Sequence, residues 1–162
     1  MQNRPALIFA HEFFAFAVWI CDSKLFKSDF LAPQPAFCAD DFFAQNVFDS
    51  LTAYFQNAEP LPIFPMIESK ISPFQKRLRA ELLQIPLGKT MTYGALAQKM
   101  GTSARGLGQA LRANALPLFV PCHRVVASAD LGGFHGRPNI FFKKIKAFLI
   151  DYERQNSRIG CR

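Results

Sequence analysis

The sequence predicts a small α/β domain, a mixed sheet with one helix, over residues 1–69, followed by a mostly α domain containing a helix-turn-helix over residues 70–162. Three observations predict this. Short runs rich in Phe, Val, Ile and Trp crowd residues 6–30, whereas beyond residue 40 apolar side chains recur at helical spacing. Pro60, Pro62 and Pro65 interrupt both patterns across residues 57–70. The charge also changes sign there. Residues 1–70 hold four bases and eight acids (net −4), and residues 71–162 hold fifteen bases and four acids (net +11), for +7 overall. Half of the 162 residues are hydrophobic and 18 are Phe, enough apolar material for two small cores and unlike a disordered chain.

Residues 6–30 read as two or three strands, with Cys21-Asp22-Ser23 as a turn. Pro33 and Pro35 mark residues 31–39 as a loop. Asp40 is expected to cap a helix whose apolar stripe is Phe43, Val47, Leu51 and Phe55. Residues 57–70 read as an extended linker. The second domain opens on Ser72-Pro73-Phe74-Gln75: a Ser N-cap, Pro at the first helical position and Gln three residues after the cap. Phe74, Leu78 and Leu82 give its buried stripe, and Pro86 and Gly88 end it. Thr92 caps a helix over 93–100 that stops at Gly101, and Thr102 or Ser103 caps the next over 104–113. Two short helices around a three-residue turn with Gly read as helix-turn-helix. Leu118-Phe119-Val120 reads as a buried strand leading into Pro121-Cys122-His123-Arg124-Val125-Val126. A Gly-rich loop spans 132–138. The last helix runs from about Ile140 to Glu153, with Ile145, Phe148, Leu149 and Tyr152 inward.

Several classes are set aside by composition. Cys21, Cys38, Cys122 and Cys161 are widely spaced without a CxxC pair, so a disulfide scaffold is not expected and a reducing, intracellular setting (cytoplasmic or nuclear) is. His11 and Glu12 interrupt the apolar residues 6–20, which argues against a signal peptide, and no stretch is apolar enough to span a membrane. His11, Cys21 and Cys38 fit no standard zinc spacing, so no metal is expected, and Cys161 reads as a free thiol in a basic tail.

The basic half points to a polyanionic partner, nucleic acid first. The helix over 104–113 is poor in bulk: Ala104, Gly106, Gly108, Ala110 and Ala113. Two glycines inside a helix cost about 1 kcal/mol each against Ala. They are tolerated where another backbone comes close, either a neighbouring helix or a DNA groove edged by Arg105 and Arg112, and the basic charge favours the groove. Thr102, Ser103 and the free N–H groups at the helix start suit phosphate. Cys122 is the candidate nucleophile. A thiol attacks as thiolate, and His123 and Arg124 supply basic neighbours. A bare Cys-His pair is more often a core thiol beside a surface His, and it is the setting behind a DNA-type helix pair that adds weight.

Pro121-Cys122-His123-Arg124-Val125 resembles the hallmark of the O6-alkylguanine-DNA alkyltransferases, or methylated-DNA–protein-cysteine methyltransferases. Residues 105–114, Arg-Gly-Leu-Gly-Gln-Ala-Leu-Arg-Ala-Asn, resemble the family's preceding motif, and Phe74-Gln75, Ile85-Pro86-Leu87-Gly88 and Thr92-Tyr93-Gly94 follow its order. The motifs cover residues 72–126, with extension to Glu153. The resemblance implies a winged-helix-like second domain with Cys122 as nucleophile, His123 as base through a water and Glu153 orienting His123. It further implies that Asn114 fixes the turn carrying Cys122 and that Tyr93 donates to the departing guanine. Arg105 would enter the gap left by an everted base, with Thr102, Ser103, Gly106, Gln109, Ala110, Arg112, Ala113 and Arg124 on DNA and the helix in the minor groove. Tyr93, Pro121, Val125, Gly133, Phe134, His135 and Gly136 would line the pocket.

The implied activity is single-turnover transfer from O6-alkylguanine, with O4-methylthymine a lesser substrate, in double-stranded DNA to Cys122. The implied protein is a monomer with no cofactor, no metal, no membrane and no obligate protein partner. The rivals are a non-catalytic alkyltransferase-like lesion binder, a sequence-specific regulator, and a multiple-turnover cysteine hydrolase, for which no oxyanion-hole motif is seen. Ala115 stands where the family has Pro, Phe134 where it has Tyr and Arg137 where it has Gly, and the stretch from Cys122 to Glu153 is a few residues longer. These departures bear on the range of alkyl groups.

Overall fold

A computed structural model describes residues 4–68, 71–134 and 139–157. The chain divides into two compact units, Met1–Ile67 and Glu68–Arg162.

In the first unit, strands β1 (Leu7–Ala10), β2 (Ala15–Cys21), β3 (Lys24–Leu31) and β4 (Phe37–Cys38) form a sheet of order β3-β2-β1-β4. Each pairing is antiparallel, and parallel character is confined to one bridge between Leu25 and Met66. Short loops return consecutive strands antiparallel, whereas a parallel neighbour needs a long crossover. Asp22 and Ser23, at φ 50° and 52°, form the two-residue turn whose left-handed backbone matches strand twist. Helix α1 (Phe42–Asn57) packs on β1. Its cap is Asp41 rather than Asp40, the Asp41 carboxylate accepting from Ala44 N at 2.8 Å. Its buried face is Ala44, Val47, Leu51 and Tyr54, with Phe43 and Phe55 half-buried at its edges. A strict four-residue stripe drifts around a helix of 3.6 residues per turn, which moves both ends of the expected stripe off the core.

The second unit begins with α2 (Pro73–Leu83), where Ser72 Oγ accepts from Gln75 N at 3.2 Å. Strand β5 (Met91–Thr92) precedes α3 (Tyr93–Met100) and α4 (Ala104–Arg112), capped by Thr92 and Ser103, with Gly101 at φ +67° between them. The capping box expected at Ser72 does not close. The Gln75 amide instead donates to Ala110 O of α4 at 3.4 Å. A 3-10 turn, Cys122–Arg124, leads into β6 (Val125–Val126), which pairs parallel with β5.

Leu118-Phe119-Val120 is buried but is not a strand. It forms a tight turn with Leu118 at φ +73° and a bridge from Pro117 to Val120. Asn114 explains the difference: Oδ1 accepts from Leu116 N at 3.1 Å and Nδ2 donates to Val120 O at 3.0 Å, folding the segment back on itself. The final helix α5 (Ile140–Ser157) runs past Glu153. It buries Phe142, Ile145, Lys146, Leu149, Ile150 and Glu153, and leaves Phe148 and Tyr152 half-buried. Among the described residues, no helix is long and apolar enough to cross a membrane.

Candidate active site

The site lies wholly in the second unit. Cys122 opens the 3-10 turn and is 5% exposed. The turn is held from behind by Asn114, which begins the loop leaving α4 and binds Val120 O two residues before the thiol. Burial pushes the Cys122 thiol up, and the Asn114 hydrogen bond and the Lys146 charge only partly offset it. The resting group at neutral pH is therefore the thiol, not the thiolate expected from basic sequence neighbours. The reason is burial, and the Arg124 guanidinium, next but one in the chain, turns to another partner.

That partner is Glu153, reached from α5. Glu153 Oε2 accepts from Arg124 Nε at 2.9 Å and Gly88 N at 3.1 Å, while Oε1 accepts from Arg124 Nη2 at 2.9 Å and lies 2.8 Å from His123 Nε2. Arg124 Nη1 donates to Ile85 O at 2.6 Å. Arg124, placed on DNA by the sequence reading, is in the structure a half-buried bidentate partner of Glu153. Burial alone would raise the Glu153 carboxyl, but the His123 hydrogen bond and the Arg124 charge hold it well below the ordinary carboxylate range. His123 is fully buried, and burial pushes its pKa down, so the imidazole is neutral at pH 7. A carboxylate only accepts, which assigns the ring proton to Nε2 and leaves a lone pair on Nδ1. Nδ1 is buried without a hydrogen-bond partner among the described residues.

Gly88 is held at φ +73° under Glu153. A Cβ there would touch Ser157 Oγ and lie 2.8 Å from Glu153 O. The glycine lets the chain approach closely enough for its N–H to reach the carboxylate.

On the other side of the thiol, Tyr93 begins α3 and its hydroxyl donates to Gly133 O at 3.2 Å. Burial pushes the phenol up, with Cys122 and Asp130 adding to it, so Tyr93 remains a donor. Gly132, at φ +67°, lies against the ring, since a Cβ there would lie 2.8 Å from Tyr93 Cε2. Pro121, Val125 and Phe134 are buried and Gly133 is exposed. His135 and Gly136, with Arg137 and Pro138, lie outside the described residues, as does Cys161.

Sequence reasoning missed Lys146. It is fully buried, and its Nζ donates to Val125 O at 2.7 Å and Gly133 O at 2.8 Å, 5.5 Å from the centre of the Tyr93 ring. The signal was present: Lys146 stands in helical register with Phe142, Leu149 and Glu153, on the face that α5 buries.

Helix α4 turns Leu107 and Leu111 inward and exposes Arg105, Gln109, Arg112 and the following Ala113. Thr102, Gly106 and Ala110 are half-buried. Its two glycines differ. A Cβ at Gly106 would lie 3.0 Å from Thr102 Oγ1, a local reason for its absence, whereas one at Gly108 meets nothing within 4 Å. Packing inside the chain therefore does not explain Gly108. The Ser103 hydroxyl oxygen is occupied as the cap, accepting from Gly106 N at 3.1 Å. Among the described residues, no group of three or more His, Cys, Asp or Glu is placed to hold a metal.

Comparison with known proteins bears on all of this. The family model for the 6-O-methylguanine DNA methyltransferase DNA-binding domain matches residues 73–155. Relatives named methylated-DNA–protein-cysteine methyltransferase include one from Methanocaldococcus jannaschii, 38% identical over 108 residues, covering 65% of this chain and 62% of the relative. Another, from Saccharolobus solfataricus, is 39% identical over 95 residues, covering 59% and 62%. The matches span about 62% of these relatives' length. Among solved structures, the fold is that of Mycobacterium tuberculosis O6-methylguanine methyltransferase, with TM-score 0.75 at 24% identity over 92% of each chain. The same organism's OGT in complex with DNA aligns with TM-score 0.74 at 26% identity, again over 92% of each.

Proposed function

Because the chain belongs to the 6-O-methylguanine DNA methyltransferase family, we propose that it repairs DNA directly, moving the alkyl group of O6-alkylguanine to its own Cys122 once per molecule. O4-methylthymine is a lesser substrate on this reading, and the protein acts as a monomer without cofactor. The observation that carries the proposal is the neutral, buried His123 beside Cys122, tied through Nε2 to an ionised Glu153 and left with a lone pair on Nδ1.

The chemistry follows from those charge states. His123 Nδ1 takes the thiol proton through an intervening water, and the Glu153 carboxylate stabilises the imidazolium as it forms. The sulfur attacks the alkyl carbon; the S–C bond forms as the C–O6 bond breaks, and the electron pair stays on the guanine oxygen. Tyr93, kept protonated by burial, donates to the departing purine, so that it leaves as the neutral base. In balance, the alkyl group ends on sulfur and the Tyr93 proton on guanine, and exchange with solvent then takes the thiol's proton from His123 and restores one to the Tyr93 phenolate. A thioether has no good leaving group, so the thiol is not regenerated. The target atom lies inside the duplex, so the nucleotide must be rotated out. The exposed face of α4 suits the minor groove, with Arg105 entering the gap and Gly108 allowing close backbone approach.

A duplex labelled in the methyl of O6-methylguanine tests this. Label is expected on Cys122 at one methyl per chain, and Cys122→Ala is expected to bind the duplex and take none. Label released to solvent over many turnovers, or binding without any transfer by the wild type, would sink the proposal; the second outcome is the lesion binder's. A companion experiment checks the reassignment of Arg124. Arg105→Ala and Arg112→Ala are each expected to lower the slope of log affinity against log salt by about 1. Arg124→Lys is expected to leave that slope unchanged while lowering the melting temperature, because its guanidinium faces Glu153.

A further inference from the structure

Among the described residues of the second unit, Lys146 is the one buried charge that this mechanism does not use. Taking an ammonium out of water is costly unless its surroundings compensate. Here it donates to two main-chain carbonyls rather than to a carboxylate. Those carbonyls belong to different segments. Val125 follows directly on the turn that carries Cys122, His123 and Arg124, and Gly133 sits in the loop whose carbonyl also receives the Tyr93 hydroxyl. One side chain from α5 therefore ties together the thiol's turn, the 130–134 loop and, through the shared carbonyl, the phenol. A methionine would fill the same apolar position in the helix without the cost of burying charge, so the charge itself calls for a reason.

We propose that Lys146 is a positioning residue for alkyl transfer: its ammonium locks the Gly133 loop to the strand leaving the nucleophile and so sets Tyr93 opposite Cys122. The inference rests on the transfer reading and names how that same site is held. The charged form is the effective one, because donors on an ammonium bind carbonyls about twice as strongly as those on a neutral amine. The ionisable groups around it are Tyr93 from α3, Cys122 and His123 from the 3-10 turn, and Asp130 from the loop. Burial lowers the Lys146 pKa to about 8. The sign follows: below that pH the lock is charged, and above it the lock weakens. Transfer by the wild type is expected to rise with pH as the His123 base loses its proton, below its ordinary 6.5, and then to fall beyond about 8 as Lys146 loses its charge.

The test compares wild type, Lys146→Met and Lys146→Arg at saturating methylated duplex in single-turnover mode, with duplex affinity, melting temperature and the iodoacetamide reaction of Cys122 read by peptide mass. Lys146→Met is expected to transfer about 30-fold more slowly with affinity little changed. Lys146→Arg, which keeps the charge, is expected to recover to within about tenfold of wild type and to lose the falling limb, since a guanidinium does not titrate there. Transfer by Lys146→Met at the wild-type rate, or a falling limb retained in Lys146→Arg, overturns the inference. Should wild type transfer nothing, the repair reading fails by itself. The iodoacetamide rates then decide the lysine's role: dependence on residue 146 with the Arg rescue supports it, and equal rates in all three overturn it.

Discussion

Glu153→Ala is expected to destabilise the protein by about 3–5 kcal/mol, the usual penalty for removing one partner of a buried pair. One carboxylate serves His123, Arg124 and the Gly88 N–H, and it is 1% exposed. Its removal leaves the half-buried Arg124 guanidinium with only the Ile85 carbonyl, and leaves His123 free to turn. Urea unfolding followed by circular dichroism at the helical band measures the loss, and a change under about 1 kcal/mol would contradict the geometry. The pH dependence separates this from simple loss of packing. The folded-state pKa of Glu153 is depressed, so its contribution is present above its ordinary value of 4.5 and is lost as pH falls below that. His123 is also depressed, so its contribution is present above 6.5 and fades as pH falls below it. Wild type should therefore lose stability in acid in two stages, and Glu153→Ala should lack the lower one.

The second large effect is expected at Gly88. Gly88→Ala forces an L side chain to φ +73° and drives its methyl against Ser157 and the Glu153 carbonyl, at a combined cost of about 2–5 kcal/mol. Gly101 is the internal control. It has nearly the same backbone, φ +67°, but a Cβ there meets nothing within 4 Å. Gly101→Ala should therefore cost only the backbone strain, about 1–2 kcal/mol. Denaturation midpoints of the two variants decide the matter, and equal losses would show that crowding at Gly88 is not real. Transfer should also slow in Gly88→Ala alone, because moving that turn moves the acceptor of the His123 proton.

Much of this was legible in the chain because it is local. Ser72, Thr92 and Ser103 cap their helices as read, since a cap joins residues three apart. The helix over residues 93–100 and its Gly101 stop follow from the same short-range rules. The turn at Asp22 and Ser23 is likewise encoded by the residues that make it. What failed were places where a distant group competes for the same atoms. Gln75 prefers the end of α4 to its own cap, and Asn114 takes the main-chain groups that a strand over 118–120 would need. Two-residue strands such as β5 and β6 are too short to show alternation at all.

By itself the sequence determined the helix pair, the strands over residues 6–30, the position of the thiol and, through ordered motifs, the family; β4 lies in a stretch read as loop, and the sheet expected to be mixed pairs its strands antiparallel. The tertiary structure decided the charges. Arg124 adjoins Cys122 in the chain's numbering but spends its guanidinium on a carboxylate 29 residues away and a carbonyl 39 away. Lys146, unremarked in the sequence, reaches across 21 and 13 residues to bind the site's two walls. Whether a thiol is ionised, an imidazole neutral or a lysine tolerated inside depends on burial and on partners brought from afar, and neither is a property of the neighbouring residues.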